Sequence, residues 1–513
     1  MKNDSENSQI KLGLDFGTAN SVMSYKKSVG VDPEVLLDSN RRAIYAKGIP
    51  SIFWSDKDGN IKVGINAMKG NAEWNDAKGV VRSIKTRLCE KEIKLYGRTY
   101  TPKQIVKEII RHILDLADEA MEEDDIDPPE EKNIVMGTPV RFGDHERKIL
   151  RDVMEELGYD AEFLPEPIAA AVYYAYKNSD KFQKVLVFDM GAGTSDIAFL
   201  EKNESPSAKE PYPYCCPPGG FDGNLTAGDA VDEAVAEYIK DKIAPKPSKE
   251  LEAALSDKDS IEYRHLLIAA RNIKENMSEE FIYTHNFSLN RQNGMSVTIT
   301  KEELEKVAAP VINKAVDMCY DIVKRCGMLN EDFSIIMVGG MSNLPMVKET
   351  LARRFPNNKI QKKNPSRAVS YGCAIYAEEP VVARSVAFGY AVASYYENKH
   401  VLSVEIPADV KLPYSVESHY ATRHQNQDAV EFRIYEVPNA KAGEHISMNN
   451  ATGCDSLLVT HYFNKPVPIG TEVTFSIELT ASGILNVSID DDGISGKTVN
   501  SFPVSVVRER SGG

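Results

Sequence analysis

No G-x-x-x-x-G-K-[ST] run occurs anywhere in the 513 residues, so a P-loop is excluded. A dinucleotide fingerprint is missing too, because Asp196 stands where a third glycine would follow Gly191 and Gly193. There is no Cys-x-x-Cys pair. The seven cysteines, at 89, 215, 216, 319, 326, 373 and 454, are scattered and odd in number. That speaks against a disulfide framework and for reduced thiols in a cytoplasmic protein. The nine histidines form no metal-spaced cluster. Positive charge is short: 61 Lys and Arg against 76 Asp and Glu leave a net charge of −15. A basic surface for nucleic acid or an anionic membrane is not expected as the main feature. Long apolar runs are lacking as well. Residues 1–9 are polar, without the apolar core of a secretory signal. The apolar-leaning stretch 381–396 is too short to span a bilayer and contains Arg384. The expectation is a cytoplasmic protein with neither nucleic acid nor membrane as partner.

What is present is ordinary for a soluble protein of two or more domains, with 42% apolar and 27% charged residues. Up to about residue 378, strand-like and helix-like segments alternate, the mark of an α/β domain. Helical spacing is clearest over 101–121, where Ile105, Val106, Ile109, Ile110, Ile113, Leu114 and Ala117 share one face. An acidic loop (122–131), a strand (133–137) and a helix (144–157) follow. The Pro-, Gly- and Tyr-rich stretch 206–223 reads as an irregular surface excursion, and helices resume near 229–243, 261–277 and 302–326. After Glu378-Glu379-Pro380 the period changes from helical to alternating. Val430, Phe432 and Ile434 alternate with polar neighbours, as do Val473, Phe475, Ile477 and Leu479. The latter meet Leu485, Val487 and Ile489 across a turn at 481–483. This part predicts an antiparallel β-sandwich of about 120 residues.

Two segments carry most of the chemistry. Gly13-Leu14-Asp15-Phe16-Gly17-Thr18-Ala19-Asn20 and Phe188-Asp189-Met190-Gly191-Ala192-Gly193-Thr194-Ser195-Asp196 each place an Asp before a glycine-bearing turn ending in Thr. Both are flanked by apolar runs and read as similar β-hairpins, roughly 170 residues apart. Glycine lets a backbone approach a bound group and present N–H donors, and Thr adds a hydroxyl. Asp supplies a hard oxygen for hydrated Mg²⁺ or an attacking water. Two such turns suggest half-sites closing on one nucleoside triphosphate. Taken singly, each reads equally well as a structural β-turn. Three further pieces follow the same order along the chain: Leu164-Pro165-Glu166-Pro167-Ile168-Ala169-Ala170-Ala171, then Val338-Gly339-Gly340-Met341-Ser342-Asn343-Leu344-Pro345, then Asn364-Pro365-Ser366-Arg367.

Together the five pieces resemble the actin-like ATPase superfamily, and within it the seventy-kilodalton heat-shock protein family, over roughly residues 10–505. The resemblance implies a duplicated actin-like (ribonuclease H-like) α/β ATPase domain with central mixed sheets at 10–378. It further implies a linker at 379–385 and an all-β antiparallel sandwich that binds peptides at 386–507. It implies ATP/ADP and Mg as cofactors, extended apolar peptides as substrates, and a J-domain protein and a nucleotide exchange factor as co-chaperones.

Residue by residue, Asp15 and Asp189 match carboxylates that hold hydrated Mg²⁺. Gly17, Thr18, Ala19, Asn20, Gly191, Ala192, Gly193 and Thr194 match the phosphate cradle, and Lys85 the catalytic lysine. Glu166 and Asp196 match acidic groups near metal or water. Gly228, Lys274, Ser278, Gly339, Gly340 and Asn343 match the adenosine pocket. Tyr420, Val430 and Phe432 match the peptide pocket, where ordinary sandwich core is an equal reading. The chain departs from the family at Ala192, at Arg271 (usually Glu), at Ser366 (usually Asp) and at Arg423, where a smaller residue is usual. Its linker lacks the leucine-like, acid-ended run, and no helical lid follows the β region. These departures motivate a rival expectation, a nucleotide-sensing scaffold whose β-domain binds one folded partner. A filament-forming actin relative is a further rival, made less apt by the appended β-domain.

Overall fold

The computed structural model describes residues 10–27, 31–36, 48–68, 77–178, 183–204, 213–217, 219–258, 260–277, 282–289, 292–379, 381–382, 388–397, 399–408, 410, 413–438, 440–448, 456–479, 485–495 and 497–502. Among these, the residues of 1–141, 150–202 and 220–381 form one compact unit, and those of 142–149, 203–219 and 382–513 another.

The larger unit is mixed α/β and contains two sheets built on hairpins. In the first, Lys11–Asp15 pairs antiparallel with Asn20–Lys26 and parallel with Asn133–Thr138, which pairs parallel with Asp160–Pro165. In the second, Lys184–Met190 pairs antiparallel with Ser195–Lys202 and parallel with Ser334–Val338, which pairs parallel with Lys359–Lys362. Each hairpin turn therefore sits at the carboxyl end of a strand whose other neighbour is parallel, where α/β sheets present their ligand-facing edge. Continuous burial explains the apolar runs: Val185, Leu186, Val187 and Phe188 are fully enclosed, as are Ile197, Ala198, Phe199 and Leu200. Phe188 and Phe199 pack with Val231, Leu266, Ile273, Ile312 and Ile322 of the covering helices. Each such side chain contributes about 1.5–3 kcal/mol of burial.

The clearest sequence helix spans Pro102–Glu123, opened by a capping box between Thr101 and Gln104. The others are Gly228–Lys240, Ile261–Asn276 and Lys301–Arg325, close to their sequence-derived bounds. One stretch needs correction. Within the expected irregular excursion 206–223, Tyr214–Cys215 is a short strand, and Phe221–Gly223 belong to a strand, Phe221–Asn224, paired antiparallel with Ser195–Ala198. Two helices lock the first sheet. Ala368–Glu378 comes so close to the first strand that a Cβ on Gly13 would lie 2.4 Å from Ala374 N and Ser370 O. A Cβ on Gly372 would lie 1.8 Å from the Ala169 carbonyl of helix Glu166–Lys177. Only glycine allows either approach.

The smaller unit contains two antiparallel sheets. One runs in the order His445–Ser447, Lys399–Ile406, Phe388–Tyr396, Gln427–Pro438, Ser456–Val467. The other runs Tyr414–Ala421, Glu472–Leu479, Leu485–Asp490, Thr498–Phe502. Their inner faces share a core of Val392, Val430, Phe432, Ile434, Val459, Phe475, Ile477, Val487 and Ile489. This is sheet-on-sheet packing. The turn expected at 481–483 and most of the expected linker 379–385 lie outside the described residues. Among the described residues, no helix is long and apolar enough to cross a membrane.

Candidate active site

The first hairpin turn is pinned from behind. Ser51 donates its hydroxyl to the Gly17 carbonyl at 2.7 Å, and its N–H reaches the Ala19 carbonyl at 2.9 Å. A Cβ on Gly17 would lie 2.0 Å from the Asn20 carbonyl oxygen, so the turn needs glycine there. The second turn is pinned by the Gly191 N–H on the Thr194 carbonyl at 2.9 Å. The two turns meet. A Cβ on Gly193 would lie 2.7 Å from Thr18 Oγ1 and 2.5 Å from Thr86 Cγ2. Two glycine-bearing turns, separated in sequence by a whole sheet, thus face each other within the larger unit.

Beside them lies a buried charge cluster. Lys85 is carried on a short 3-10 turn, Ile84–Arg87, and its Nζ pairs with Glu166 Oε1, both side chains being almost fully enclosed. Glu166 is the first residue of its helix, where the positive end of the helix dipole favours a carboxylate. Burial, then the field of Glu166, pushes the Asp15 carboxyl up to about 7, against the pull of Lys85. Burial, then Glu166, also raises Asp196 to about 7, although the Val140 N–H donates to its Oδ1 at 2.8 Å. Burial, then Glu166, Asp196 and Asp15, raises Asp189 well above the ordinary range. For Lys85, burial acts to lower the pKa, but Glu166 and Asp15 outweigh it and raise it.

Four carboxylates around one lysine are an electrostatic excess that a cation would relieve. Asp196 Oδ2 is buried without a hydrogen-bond partner among the described residues. Among those residues no three His, Cys, Asp or Glu side chains converge to ligate an ion directly. A magnesium ion suits this donor set if it keeps its water shell, as that hard, reluctantly dehydrated ion does.

The remaining sequence-derived positions fall on the same face or near it. Gly228 abuts the second turn, its N–H reaching the Gly191 carbonyl at 3.2 Å, and a Cβ there would lie 3.2 Å from the Ala192 Cα. Lys274 donates to the Gly228 carbonyl at 3.0 Å and pairs with Asp232 at 2.7 Å. Gly339 holds φ +78°, and a Cβ on it would lie 2.4 Å from the Met190 carbonyl and 2.5 Å from Asp189 Oδ1. Gly340 is exposed, with open space where its Cβ would be. Asn343 is also exposed; its amide donates to the Gly340 carbonyl and its oxygen accepts from Lys362. Ser278 lies outside the described residues. Gly339→Ala is expected to lower stability by about 1–3 kcal/mol, through backbone strain and the clash with Asp189. Denaturant unfolding with and without nucleotide checks this.

Sequence reasoning missed Thr86, Ser51, Ser83, Asp229 and Asp232. Ser83 and Thr86 flank Lys85 with no role of their own read from the sequence, and each of the five reaches the site through a contact more than 30 residues distant in sequence or through the backbone of another element. Gly137 was missed too. A Cβ on it would meet Glu166 Cγ at 3.3 Å and Val369 at 2.7 Å, so a glycine as the last residue but one of strand Asn133–Thr138 lets Glu166 in.

The profile described as Hsp70 protein matches residues 83–504. That span takes in Lys85, Glu166, the second turn, the Gly339-Gly340 pair and the β-sandwich; the first turn precedes it. The chain belongs to the Hsp70 family. Hsp70 membership supports a chaperone-like role in general, and Hsp70 proteins as a family are ATPases that bind ATP or ADP with Mg²⁺ and take peptides and co-chaperones as partners. The mixed α/β unit and the β-sandwich fit an Hsp70 architecture.

The peptide-pocket positions lie in the sandwich. Val430 and Phe432 are buried in the shared core. Tyr420 is half-buried, its ring 5.1 Å from Phe432 and its hydroxyl donating to Glu405, whose other oxygen accepts from Ser418. Burial, then the Glu405 carboxylate, raises the Tyr420 pKa, so the phenol stays neutral. The ladder between Phe388–Tyr396 and Gln427–Pro438 stops at the pair Val392 and Ile434, although both strands run on. The Arg423 guanidinium stacks 3.4 Å from the centroid of Tyr395, tying the tip of one hairpin to the loop before the other strand.

Proposed function

We propose that the chain is an Mg-ATP-hydrolysing chaperone whose larger unit is a duplicated actin-like ATPase and whose sandwich binds extended apolar peptide segments. The facing turns carry this reading: Thr18 against Gly193, beside a buried lysine ringed by four carboxylates. Backbone N–H groups of the two turns, with the Thr18 and Thr194 hydroxyls, cradle the phosphates. Bound Mg²⁺, held through water by Asp15 and Asp189, would supply charge neutralisation on the phosphates. Lys85 lies where negative charge grows as a water oxygen attacks the γ-phosphorus and the bridging bond to ADP breaks. Glu166 keeps Lys85 charged and aimed. Asp196, near neutrality in its titration, orients the water and accepts its proton. Gly228, Lys274, Gly339, Gly340 and Asn343 border the adenosine.

In the sandwich, the interrupted ladder leaves strand edges for an added peptide strand, with Tyr420 at the margin of the apolar core. Nucleotide state and peptide affinity are coupled in this reading. A fluorescent-peptide titration across a set of apolar sequences, with and without ATP, tests it. Binding to many peptides that weakens with ATP is expected. Silence on all of them would favour a scaffold for one folded partner. Arg423→Ala, which removes the stacked pair with Tyr395, is expected to speed peptide dissociation by roughly two- to fivefold, the loss of one solvent-exposed cation–π contact. Stopped-flow displacement reads that change.

A further inference from the structure

Ser83 immediately precedes the 3-10 turn that carries Lys85, and its backbone is left-handed, with φ 54° and ψ 32°. A non-glycine residue holds that conformation only when its surroundings fix it. Its hydroxyl does not cap its own turn. It donates instead to Asp229 Oδ2 at 2.6 Å, 146 residues away. The Lys85 turn leans on helix Pro102–Glu123, in the half built on the first sheet. Asp229 opens helix Gly228–Lys240, in the half built on the second sheet, and its N–H is bonded to the Ala192 carbonyl at 2.6 Å. One hydrogen bond therefore joins the lysine of one half to the phosphate turn of the other.

Asp229 is itself held. Arg271 lies 3.6 Å from its Oδ1 and bonds Asp232 Oδ2 at 3.2 Å, while Lys274 pairs with Asp232 Oδ1 at 2.7 Å. Asp232 is almost fully buried, and two cations share it. Arg271, which stands where the family usually has Glu, is turned onto these two carboxylates.

We propose that Ser83 and Asp229 form a latch between the two halves, oriented by Arg271, which positions Lys85 against the γ-phosphate. Ser83, Asp229 and Arg271 are positioning residues that touch no reacting atom. The latch rests on the ATPase reading above and adds to it a device that ties catalytic geometry to closure of the two halves.

The test is single-turnover hydrolysis of pre-bound ATP by the full chain, alongside the affinity of a fluorescent ADP analogue. Ser83→Gly deletes the hydroxyl while allowing the left-handed backbone, and Asp229→Ala deletes the acceptor from the other side. Each is expected to lower the hydrolysis rate roughly tenfold, the worth of a hydrogen bond to a charged group. The double variant is expected to lose no more than either single one. Asp229→Asn keeps an acceptor and restores most of the rate. Additive losses, or rates within twofold of wild type in folded single variants, would overturn the latch while leaving the ATPase reading intact. Absence of turnover in the wild type would overturn the ATPase reading itself.

Discussion

Lys85→Met is expected to abolish measurable ATP turnover, a fall of about 10²–10³-fold, while the nucleotide still binds. The argument is positional. Among the described residues, Lys85 is the cation that pairs within the cluster of Asp15, Glu166, Asp189 and Asp196, and it is almost fully enclosed. The proposed phosphate cradle uses the backbone of the facing turns with Thr18 and Thr194, which the substitution does not touch. Binding and chemistry therefore separate. Removing one member of a buried pair also leaves Glu166 uncompensated, which typically costs about 3–5 kcal/mol. Adding Glu166→Gln is expected to recover much of that stability and none of the turnover. Equal turnover in Lys85→Met and wild type, measured on folded protein, would remove Lys85 from the chemistry.

The second large effect is in pH. Asp15 and Asp196 titrate near 7 in the free protein, far above their unfolded range, because burial and Glu166 oppose their ionisation. A carboxyl with a raised pKa binds its proton more tightly when folded. Between the unfolded and the folded pKa the native state holds more protons, so stability falls as pH rises from about 4 to 7. Burial lowers the pKa of His112 and of His285, which act in the opposite sense up to their ordinary pKa. Subtracting the profile of Asp15→Asn isolates the cleft from the histidines. The wild type is expected to lose melting temperature relative to that variant between about pH 4 and 7, and saturating Mg²⁺ with ADP to flatten the difference. Parallel profiles would show that the carboxylates do not burden one another as described.

Much of this was legible in the sequence where the physics is local. The apolar runs around Asp15 and Asp189 fix buried hairpins, and the alternation at Val430, Phe432 and Ile434 fixes a sandwich strand. Residues 221–223, which read as irregular, belong to a strand that their Gly-rich composition masks. Gly223 sits opposite Asp196, and a Cβ there would lie 2.5 Å from Asp196 Oδ1, so the glycine that hides the strand is what makes room for the carboxylate. The facing of the turns, Thr18 against Gly193, is a tertiary fact with no periodic trace. The Ser83–Asp229 bond is more remote still, since the two residues lie 146 apart and no pattern in the chain pairs them. Arg271 shows the limit of reading a side chain from its position in a pattern: the packing of Asp229 and Asp232 decides where its charge points.

The most direct measurement is release of phosphate from ATP in a single turnover, with Mg²⁺ and then with the metal chelated, for the wild type and Thr194→Ala. The facing turns and their carboxylates predict Mg²⁺-dependent release by the wild type and a rate lower by an order of magnitude or more in the variant. Nucleotide that binds without Mg²⁺-dependent release, or release indifferent to Thr194, would contradict them.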